Sequence, residues 1–154
     1  MKRIILRDVT MENLLDVIKL KSEDKEFSLF EKWVSSNVFS LAQAKVQPGW
    51  VTKAIYDGTL LIGFTMFGLD NERNRFELCR IMIDYKYQGK GYGTAAVKEI
   101  ISEMIRILPY CDEIYLSVIP TNKAAIHVYT NAGFTRTGEI IKGFVDEDVY
   151  SLKV

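Results

Sequence analysis

The sequence has few of the residues that build metal centres and disulfide frameworks. Its 154 residues include two cysteines, Cys79 and Cys111, and one histidine, His127. A structural zinc ion takes about four ligands, mostly from these residue types, and a disulfide framework needs several cysteine pairs. We therefore expect neither a bound metal nor a disulfide framework.

Long apolar runs and an excess of either charge are also absent. The longest apolar stretch, residues 60–69, is about half of what a membrane-spanning helix needs. Arg7 and Asp8 interrupt the apolar N-terminus before a secretory signal could form. The 20 Lys and Arg residues balance 20 Asp and Glu residues, so no overall positive field attracts nucleic acid or an anionic membrane. We expect a cytoplasmic protein that binds neither.

The residues that are present are typical of one globular domain over residues 1–154. The chain is 48% hydrophobic and 26% charged, and it is too short for two ordinary domains. Thr10 is the predicted N-cap of a first helix with Met11, Leu14, Leu15 and Ile18 on its apolar face. Periodicity and turn signals predict strands at 3–7, 51–56, 60–67, 75–83, 112–119, 135–141 and 149–153, and further helices at 22–47, 91–108 and 123–131.

A glycine-rich turn lies between the strand at 75–83 and the helix at 91–108. It reads Gln88-Gly89-Lys90-Gly91-Tyr92-Gly93. Glycines at a helix N-terminus let backbone N–H groups approach an anion, and the helix dipole favours negative charge there. The spacing does not match a P-loop, and the Rossmann pattern has a different glycine spacing and follows the first strand of a parallel unit. Two interpretations of the turn remain: a phosphate site of another kind, or a tight connection between the strand and the helix with no ligand.

Two motifs together resemble the GNAT N-acetyltransferases. The first is Gln88-x-x-Gly91-x-Gly93, which is similar to the family's pyrophosphate loop for acetyl-CoA. The second runs from Asn122 through Tyr129 to Gly133-Phe134 and is similar to the family's Asn-x-x-Ala-x-x-x-Tyr-x-x-x-Gly-Phe. The resemblance implies an α/β (α+β) fold. It has a mixed central sheet of about seven strands, with an antiparallel N-terminal part, a splayed parallel pair at the cofactor site and flanking helices.

The resemblance also implies which residues bind acetyl-CoA. Backbone groups of the strand before the loop are expected to pair with the pantetheine arm, and the loop and the second motif are expected to hold the rest, without a metal. The implied cofactor residues are Ile81, Met82, Ile83, Gln88, Gly89, Lys90, Gly91, Tyr92, Gly93, Thr94, Asn122 and Tyr129.

Acetyl transfer to an amine needs a proton donor for the departing thiolate and a proton acceptor for the amine. The resemblance implies that Tyr129 is the general acid, although a packed tyrosine is the alternative. The base position of many relatives is occupied by Ser117, so Glu77, eleven residues before Gln88, is the candidate base. A surface role for Glu77 is equally open. Cys79, expected on the same face as Glu77 and Ile81, is expected to be a buried hydrophobe rather than a nucleophile, and His127 is expected on the surface.

The acceptor is predicted to be a polyamine such as spermidine or spermine. Residues 33–68 resemble bacterial spermine/spermidine acetyltransferases. Acidic and aromatic residues suit a multivalent cation, and two walls are predicted, one at residues 23–33 and one at Asp146-Glu147-Asp148. A protein N-terminus, an amino acid or an aminoglycoside-like amine is the alternative acceptor, and a non-catalytic acyl-CoA sensor is the alternative function. The sequence leaves the oligomeric state open, with a homodimer as one candidate.

Overall fold

The computed structural model describes residues 2–23 and 36–154. The strands are β1 Ile4–Arg7, β2 Trp50–Asp57, β3 Leu60–Asp70, β4 Arg75–Ile83, β5 Glu113–Val118, β6 Thr135–Ile141 and β7 Glu147–Lys153. The helices are α1 Leu14–Lys19, α2 Asn37–Val46, α3 Tyr92–Ile107 and α4 Lys123–Asn131, with a 3₁₀ turn at Tyr85–Tyr87. Within the described ranges, every helix falls short of the length and apolar character that a membrane crossing requires.

The seven strands of the described residues form one mixed sheet in the order β1-β2-β3-β4-β5-β7-β6. Neighbouring strands are antiparallel except β4 and β5, which are parallel. The parallel ladder contains only the pairs Phe76–Ile114 and Glu77–Tyr115, although β4 continues to Ile83. The two strands therefore separate beyond Glu77 and leave a gap. This confirms the predicted sheet with its splayed parallel pair.

Apolar side chains cover both sides of the sheet. The side packed against α3 and α4, here called the α3 face, holds the larger core. Its buried members include Phe67, Leu78, Ile100, Met104, Ile114 and Phe134. The side packed against α1 and α2, the α2 face, holds a smaller cluster that includes Val17, Phe64, Met66 and Met82. Val97, Ile100 and Met104 are buried along α3, as the 3.6-residue period predicts.

A β-bulge in β4 corrects one expectation about the site. Met66 of β3 pairs with Arg80 and Phe67 pairs with Leu78, so Cys79 is an extra residue with no partner across that ladder. Cys79 packs on the α2 face, whereas Ile81 packs in the core of the α3 face. The prediction that Ile81 shares a face with Glu77 and Cys79 is therefore wrong, because the bulge shifts the alternation of side chains.

The N-terminal segment also differs from the prediction. α1 begins at Leu14 rather than after Thr10, and Val17 is its buried residue, whereas Met11 and Leu15 are 86% and 67% exposed. The predicted helix at 22–47 is helical over Asn37–Val46, where the Ser36 hydroxyl caps the helix by accepting from the Phe39 N–H. The prediction for residues 24–35 lies outside the described residues.

Candidate active site

A cavity of about 600 Å³ opens between the end of β4, the start of α3 and α4. All the predicted cofactor residues line it except Lys90 and Tyr92, and those that do are Ile81, Met82, Ile83, Gln88, Gly89, Gly91, Gly93, Thr94, Asn122 and Tyr129. Two motifs that are about thirty residues apart in the chain thus meet across one space. A second hollow, of about 800 Å³, lies beside α1 and is lined by none of these residues.

The glycine turn presents free backbone donors to this cavity. Gly89 and Gly91 have φ of +72° and +83°, in the left-handed region that favours glycine. Gly91 is the N-cap of α3 and offers no side chain to the helix, and the Ala95 N–H donates to the Gly91 carbonyl at 3.2 Å. The N–H groups of Tyr92, Gly93 and Thr94 precede that bond and have no intrahelical acceptor. Together with the dipole of a 16-residue helix, they suit an anionic ligand.

Gln88 acts as a brace at the mouth of the cavity. Its side-chain Nε2 donates to the carbonyls of Ile83 and Ser22, both at 2.8 Å. These bonds tie the glycine turn to the end of β4 and to the segment after α1. The side chain of Gln88 therefore has a positioning role, and its predicted contact with the cofactor stays a prediction.

The side chain of Tyr92 is directed away from the cavity. Its hydroxyl donates to Asp57 Oδ2 at 2.6 Å, and its ring lies edge-on to Tyr87 and beneath the Lys2 ammonium. Tyr92 thereby fastens the start of α3 to the end of β2. Any contribution of Tyr92 to ligand binding would come from its backbone N–H.

The second motif forms α4 and fixes the position of Tyr129. The Asn122 side chain caps the helix by accepting from the Ala125 N–H at 3.2 Å. At the other end, the Phe134 N–H donates to the Tyr129 carbonyl and the Gly133 N–H donates to the Thr130 carbonyl, both at 3.0 Å. This pair of bonds, with φ of +103° at Gly133, is a Schellman motif. The buried Phe134 ring packs against the Tyr129 ring at 6.1 Å, so the Gly-Phe pair of the motif holds Tyr129 in place.

The phenol of Tyr129 is a protonated group in apolar surroundings. Burial raises the pKa of Tyr129 to about 12. A raised pKa extends the pH range over which the proton is retained, so the phenol carries its proton at all ordinary pH values. Tyr129 therefore holds a proton beside the cavity, although its raised pKa makes the phenol a weaker acid than an ordinary tyrosine.

Glu77 lies on the α2 face, beside the point where β4 and β5 separate. The Arg75 guanidinium donates to Glu77 Oε1 at 3.0 Å and to Glu139 Oε2 at 2.8 Å, and it stacks on the Tyr115 ring. The Glu77 side chain is 13% exposed. Burial raises the pKa of Glu77, and the bond from Arg75 opposes that effect. The structure thus places a mostly buried carboxylate beside the gap, outside the set of residues that line the cavity.

The cysteines are poorly suited to covalent catalysis. Burial raises the pKa of the Cys79 thiol to about 11, and burial also raises the pKa of Cys111. A nucleophilic cysteine requires a lowered pKa because the thiolate is the reactive form. The surroundings of Cys79 therefore favour direct transfer over an acetyl-cysteine step. Among the residues that the structure describes, there is also no group of three or more His, Cys, Asp or Glu side chains that could hold a metal ion.

Several residues near the site were not found from the sequence. His127 is exposed as expected, but it also lines the cavity, together with Ser22, Val97, Ala124, Ala125 and Val128. Arg80 donates to the Ser40 hydroxyl at 3.0 Å and lies over the Phe39 ring, which joins α2 to β4. Small residues in a helix and one arginine in a strand carry no sequence signal of these roles, because only the packing of α2 and α4 brings them to the site.

The acidic triplet predicted as one wall is divided by the alternation of β7. Asp146 forms an exposed ion pair with Lys142 at 2.9 Å, and the buried Asp148 pairs with Arg136 at 3.1 Å. Glu147 is half-buried on the α2 face. Most of the other predicted wall, at residues 24–33, lies outside the described residues.

The sheet opens between two parallel strands, next to an uncapped helix N-terminus and a protonated tyrosine, and this arrangement suits acyl transfer. The sequence model of the family described as "Acetyltransferase (GNAT) family" matches residues 11–134 of this chain. A spermine/spermidine N(1)-acetyltransferase of Bacillus subtilis is 32% identical over 143 residues, which are 89% of this chain and 91% of that protein. The chain belongs to the GNAT acetyltransferase family.

Other similar proteins are named for different acceptors. N-alpha-acetyltransferase 30 of Xenopus laevis is 32% identical over 92 residues, 58% of this chain and 33% of that protein. Spermidine N-acetyltransferase of Vibrio cholerae, solved with CoA and spermine, superposes with a TM-score of 0.73 at 18% identity and covers 97% of this chain and 95% of that one. The ribosomal-protein-S18-alanine N-acetyltransferase of Escherichia coli superposes with a TM-score of 0.71 at 18% identity and covers 99% of this chain and 94% of that one. At such identities the structures show a shared fold.

Proposed function

We propose that this enzyme transfers the acetyl group of acetyl-CoA to a primary amine of a polyamine, such as spermidine or spermine, by direct attack. The observation that carries the polyamine is the similarity to the Bacillus subtilis enzyme over nearly the whole of both chains. The observation that carries acetyl-CoA is the cavity, which joins free N–H groups at one end to an unpaired strand edge at the other. We also propose a cytoplasmic location and a homodimer; the exposed side chains of Met11, in the turn before α1, and Leu15, in α1, support the latter.

The residues present fit an extended thioester ligand with a pyrophosphate. The pyrophosphate would be held by the backbone N–H groups from Gly91 to Thr94. The pantetheine arm would lie along Ile81–Ile83, because the ladder to β5 ends at Glu77 and leaves that edge of β4 unpaired among the described residues. An extended ligand can add to such an edge as a strand does. Acetyl-CoA supplies the activated acetyl group in this arrangement.

The two predicted catalytic groups would act on different protons. Glu77 would accept the proton that the acceptor nitrogen loses, through a water molecule, as the new carbon–nitrogen bond forms. Tyr129 would donate its phenolic proton to the sulfur as the carbon–sulfur bond breaks. A β4 backbone N–H would polarise the carbonyl oxygen as negative charge develops on it. One proton thus passes from the amine to Glu77 and another from Tyr129 to the sulfur, proton exchange with solvent restores both side chains, and no covalent enzyme intermediate forms.

Glu77→Gln is expected to lower kcat at neutral pH, with part of the loss recovered at high pH. A base works when it is ionised, and the raised pKa of Glu77 means that the parent rate falls as pH drops through that value. At high pH more of the amine is already neutral, so the variant needs the base less. Steady-state rates from pH 6 to 10 measure both effects.

Glu139→Gln is the matched control for Glu77→Gln. Glu139 bonds to the same Arg75 guanidinium from β6, and like Glu77 it is not among the residues that line the cavity, but its side chain is 44% exposed where that of Glu77 is 13% exposed. We expect its rate and pH profile to equal those of the parent. A Glu77→Gln profile identical to the parent would instead move the base to another group or to bulk water.

The polyamine acceptor predicts a preference that depends on salt. Spermidine should be acetylated with at least tenfold higher kcat/KM than butylamine, because each further ammonium near a carboxylate gains Coulomb energy. The preference should shrink as salt rises from 0.05 to about 0.5 M, where screening acts over a few ångströms. A CoA-release assay on both amines at both salt concentrations provides the measurement.

The same assay tests the second candidate function. The similarity to N-alpha-acetyltransferase 30 favours a protein N-terminus as acceptor. A short peptide with a free N-terminus, added to the panel, should be a poor substrate if the polyamine is the acceptor. Equal rates with mono- and polyamines, and a faster rate with the peptide, would reject the polyamine and support N-terminal acetylation.

A further inference from the structure

Glu147 differs from both of its acidic neighbours in forming no salt bridge among the described residues, although the charge of Arg73 acts on it from a greater distance. Asp146 pairs with Lys142, and Asp148 pairs with Arg136. In the part of the chain that the structure describes, Glu147 forms no salt bridge, although it is half-buried. Without a salt bridge, the more distant charge of Arg73 offsets only part of the cost of desolvating this carboxylate.

Strand register places Glu147 near the level of the proposed thioester. Glu77 pairs with Tyr115, so continuing β4 and β5 in parallel brings Ile81 to the level of residues 118 and 119, allowing for the bulge at Cys79. Val118 pairs with Asp148 across the antiparallel ladder between β5 and β7, so Ile119 is level with Glu147. Glu147 is therefore within about one residue of the height of Ile81, whereas Glu77 lies several residues lower.

The carboxylate also lies on the side of the sheet that Glu77 occupies. Ile114, Leu116 and Val118 of β5 are buried in the core of the α3 face, so Ser117 is directed to the α2 face. Ser117 pairs with Val149 across the β5–β7 ladder, which brings its hydroxyl close enough to the Glu147 carboxylate to lower the pKa of Glu147. Because Tyr150 belongs to the core of the α3 face, Glu147 lies on the opposite side in β7. Ser117 thus holds a carboxylate of β7 where the family's β5 base is absent.

The lateral distance suits a second charge of the acceptor rather than the reacting nitrogen. Neighbouring strands are about 4.8 Å apart, and the proposed thioester lies between β4 and β5. The backbone of β7 is then roughly 10 Å from the thioester, because the ligand strand and β5 lie one strand spacing apart and β7 lies one spacing beyond β5. A three- or four-carbon chain between two nitrogens, together with the reach of the Glu147 side chain, covers such a span.

We propose that Glu147, held by Ser117, binds the second ammonium of the polyamine while the first is acetylated. The proposal rests on the proposed polyamine acetylation and adds a specificity-determining residue to it. Charge pairing with Glu147 would place the terminal nitrogen at the thioester. It would also distinguish a polyamine from a monoamine of equal length.

Three described segments contribute groups that act on Glu147: the Ser117 hydroxyl, the charge of Arg73 and the titratable thiol of Cys79. Burial raises the pKa of Glu147, whereas the bond from Ser117 of β5 and the charge of Arg73, in the turn before β4, lower it. The buried Cys79 thiol of β4 is the third neighbour, and its pKa is raised in part by Glu147. Loss of the Ser117 hydroxyl should therefore raise the pKa of Glu147 further.

The first experiment compares spermidine and butylamine as substrates of Glu147→Gln. We expect kcat/KM for spermidine to fall at least tenfold, towards the value for butylamine, mainly through KM, and the butylamine value to change less than twofold. Glu139→Gln should leave both values unchanged, and Glu77→Gln should lower both alike through kcat. A loss that is equal for the two amines in Glu147→Gln, or an unchanged spermidine value, would overturn the proposal.

The second experiment keeps the carboxylate and alters only its environment. Ser117→Ala should move the acid limb of the spermidine kcat/KM profile to higher pH, because a raised pKa leaves Glu147 protonated over a wider range. The butylamine profile should stay in place. An unmoved spermidine limb, or an equal shift for both amines, would contradict the role of Glu147. A parent enzyme that does not acetylate spermidine would refute the proposed function itself, whereas a parent that prefers spermidine, with no effect of either variant, would refute only the role of Glu147.

Discussion

Tyr129→Phe is expected to lower kcat by about 10²- to 10⁴-fold, the range that loss of a general acid usually costs. The leaving thiolate would have to take its proton from water. The phenylalanine ring keeps the packing against Phe134 at the end of α4, so folding and acetyl-CoA affinity should change little. Because burial raises the pKa of Tyr129 to about 12, the parent enzyme should show no alkaline loss of activity from this group below about pH 11.

Steady-state and thermal measurements on the same preparations test the role of Tyr129. The matched control is Tyr110→Phe, which removes the hydroxyl of a tyrosine that is 94% exposed and lies outside the cavity. Its kcat should equal that of the parent. If Tyr129→Phe turned over at the parent rate, Tyr129 would be a packing residue and the proton donor would have to be another group or water.

Acetyl-CoA is expected to raise the melting temperature, and Gly93→Val is expected to abolish that rise. A ligand at a hundredfold excess over its Kd adds about 2.7 kcal/mol to the stability of the folded state. For a chain of this size that is roughly 5–10 °C. A Cβ at Gly93 would lie 3.5 Å from Val128 Cγ2, so the two methyl groups of valine would occupy the space between α3 and α4 that the ligand needs.

Gly91 is a less suitable position than Gly93 for blocking the ligand by substitution. A Cβ at Gly91 would meet only the end of the Lys2 side chain, at 3.7 Å, so Gly91 is required for its positive φ rather than for space. Gly143→Val, in the exposed turn before β7, is the control, and its thermal shift should match that of the parent. A melting temperature of the parent that does not change up to millimolar acetyl-CoA would refute the proposed cofactor.

Local sequence was enough to predict most elements and the cavity that two of them form. The period of Val97, Ile100 and Met104 predicts α3, and the glycine turn before it predicts an uncapped N-terminus, because both signals lie within a few residues of the structure they produce. Asn122, Tyr129 and Gly133 are spaced so that a cap, a cavity-lining side chain and a helix end follow one another in α4. Each of these features depends on intrinsic backbone preferences and on helical geometry.

Only the tertiary structure decided which acidic and apolar side chains meet at the site. The bulge at Cys79 is set by pairing with β3, and it moves Ile81 to the face opposite Cys79. Arg75 ties Glu77 to Glu139, which is 62 residues further along the chain than Glu77. Ser117 meets Glu147 because β5 and β7 are neighbours, although α4 and β6 separate them in sequence. Alternation along one strand is a local property, but the register between strands depends on contacts that the strand's own sequence does not contain.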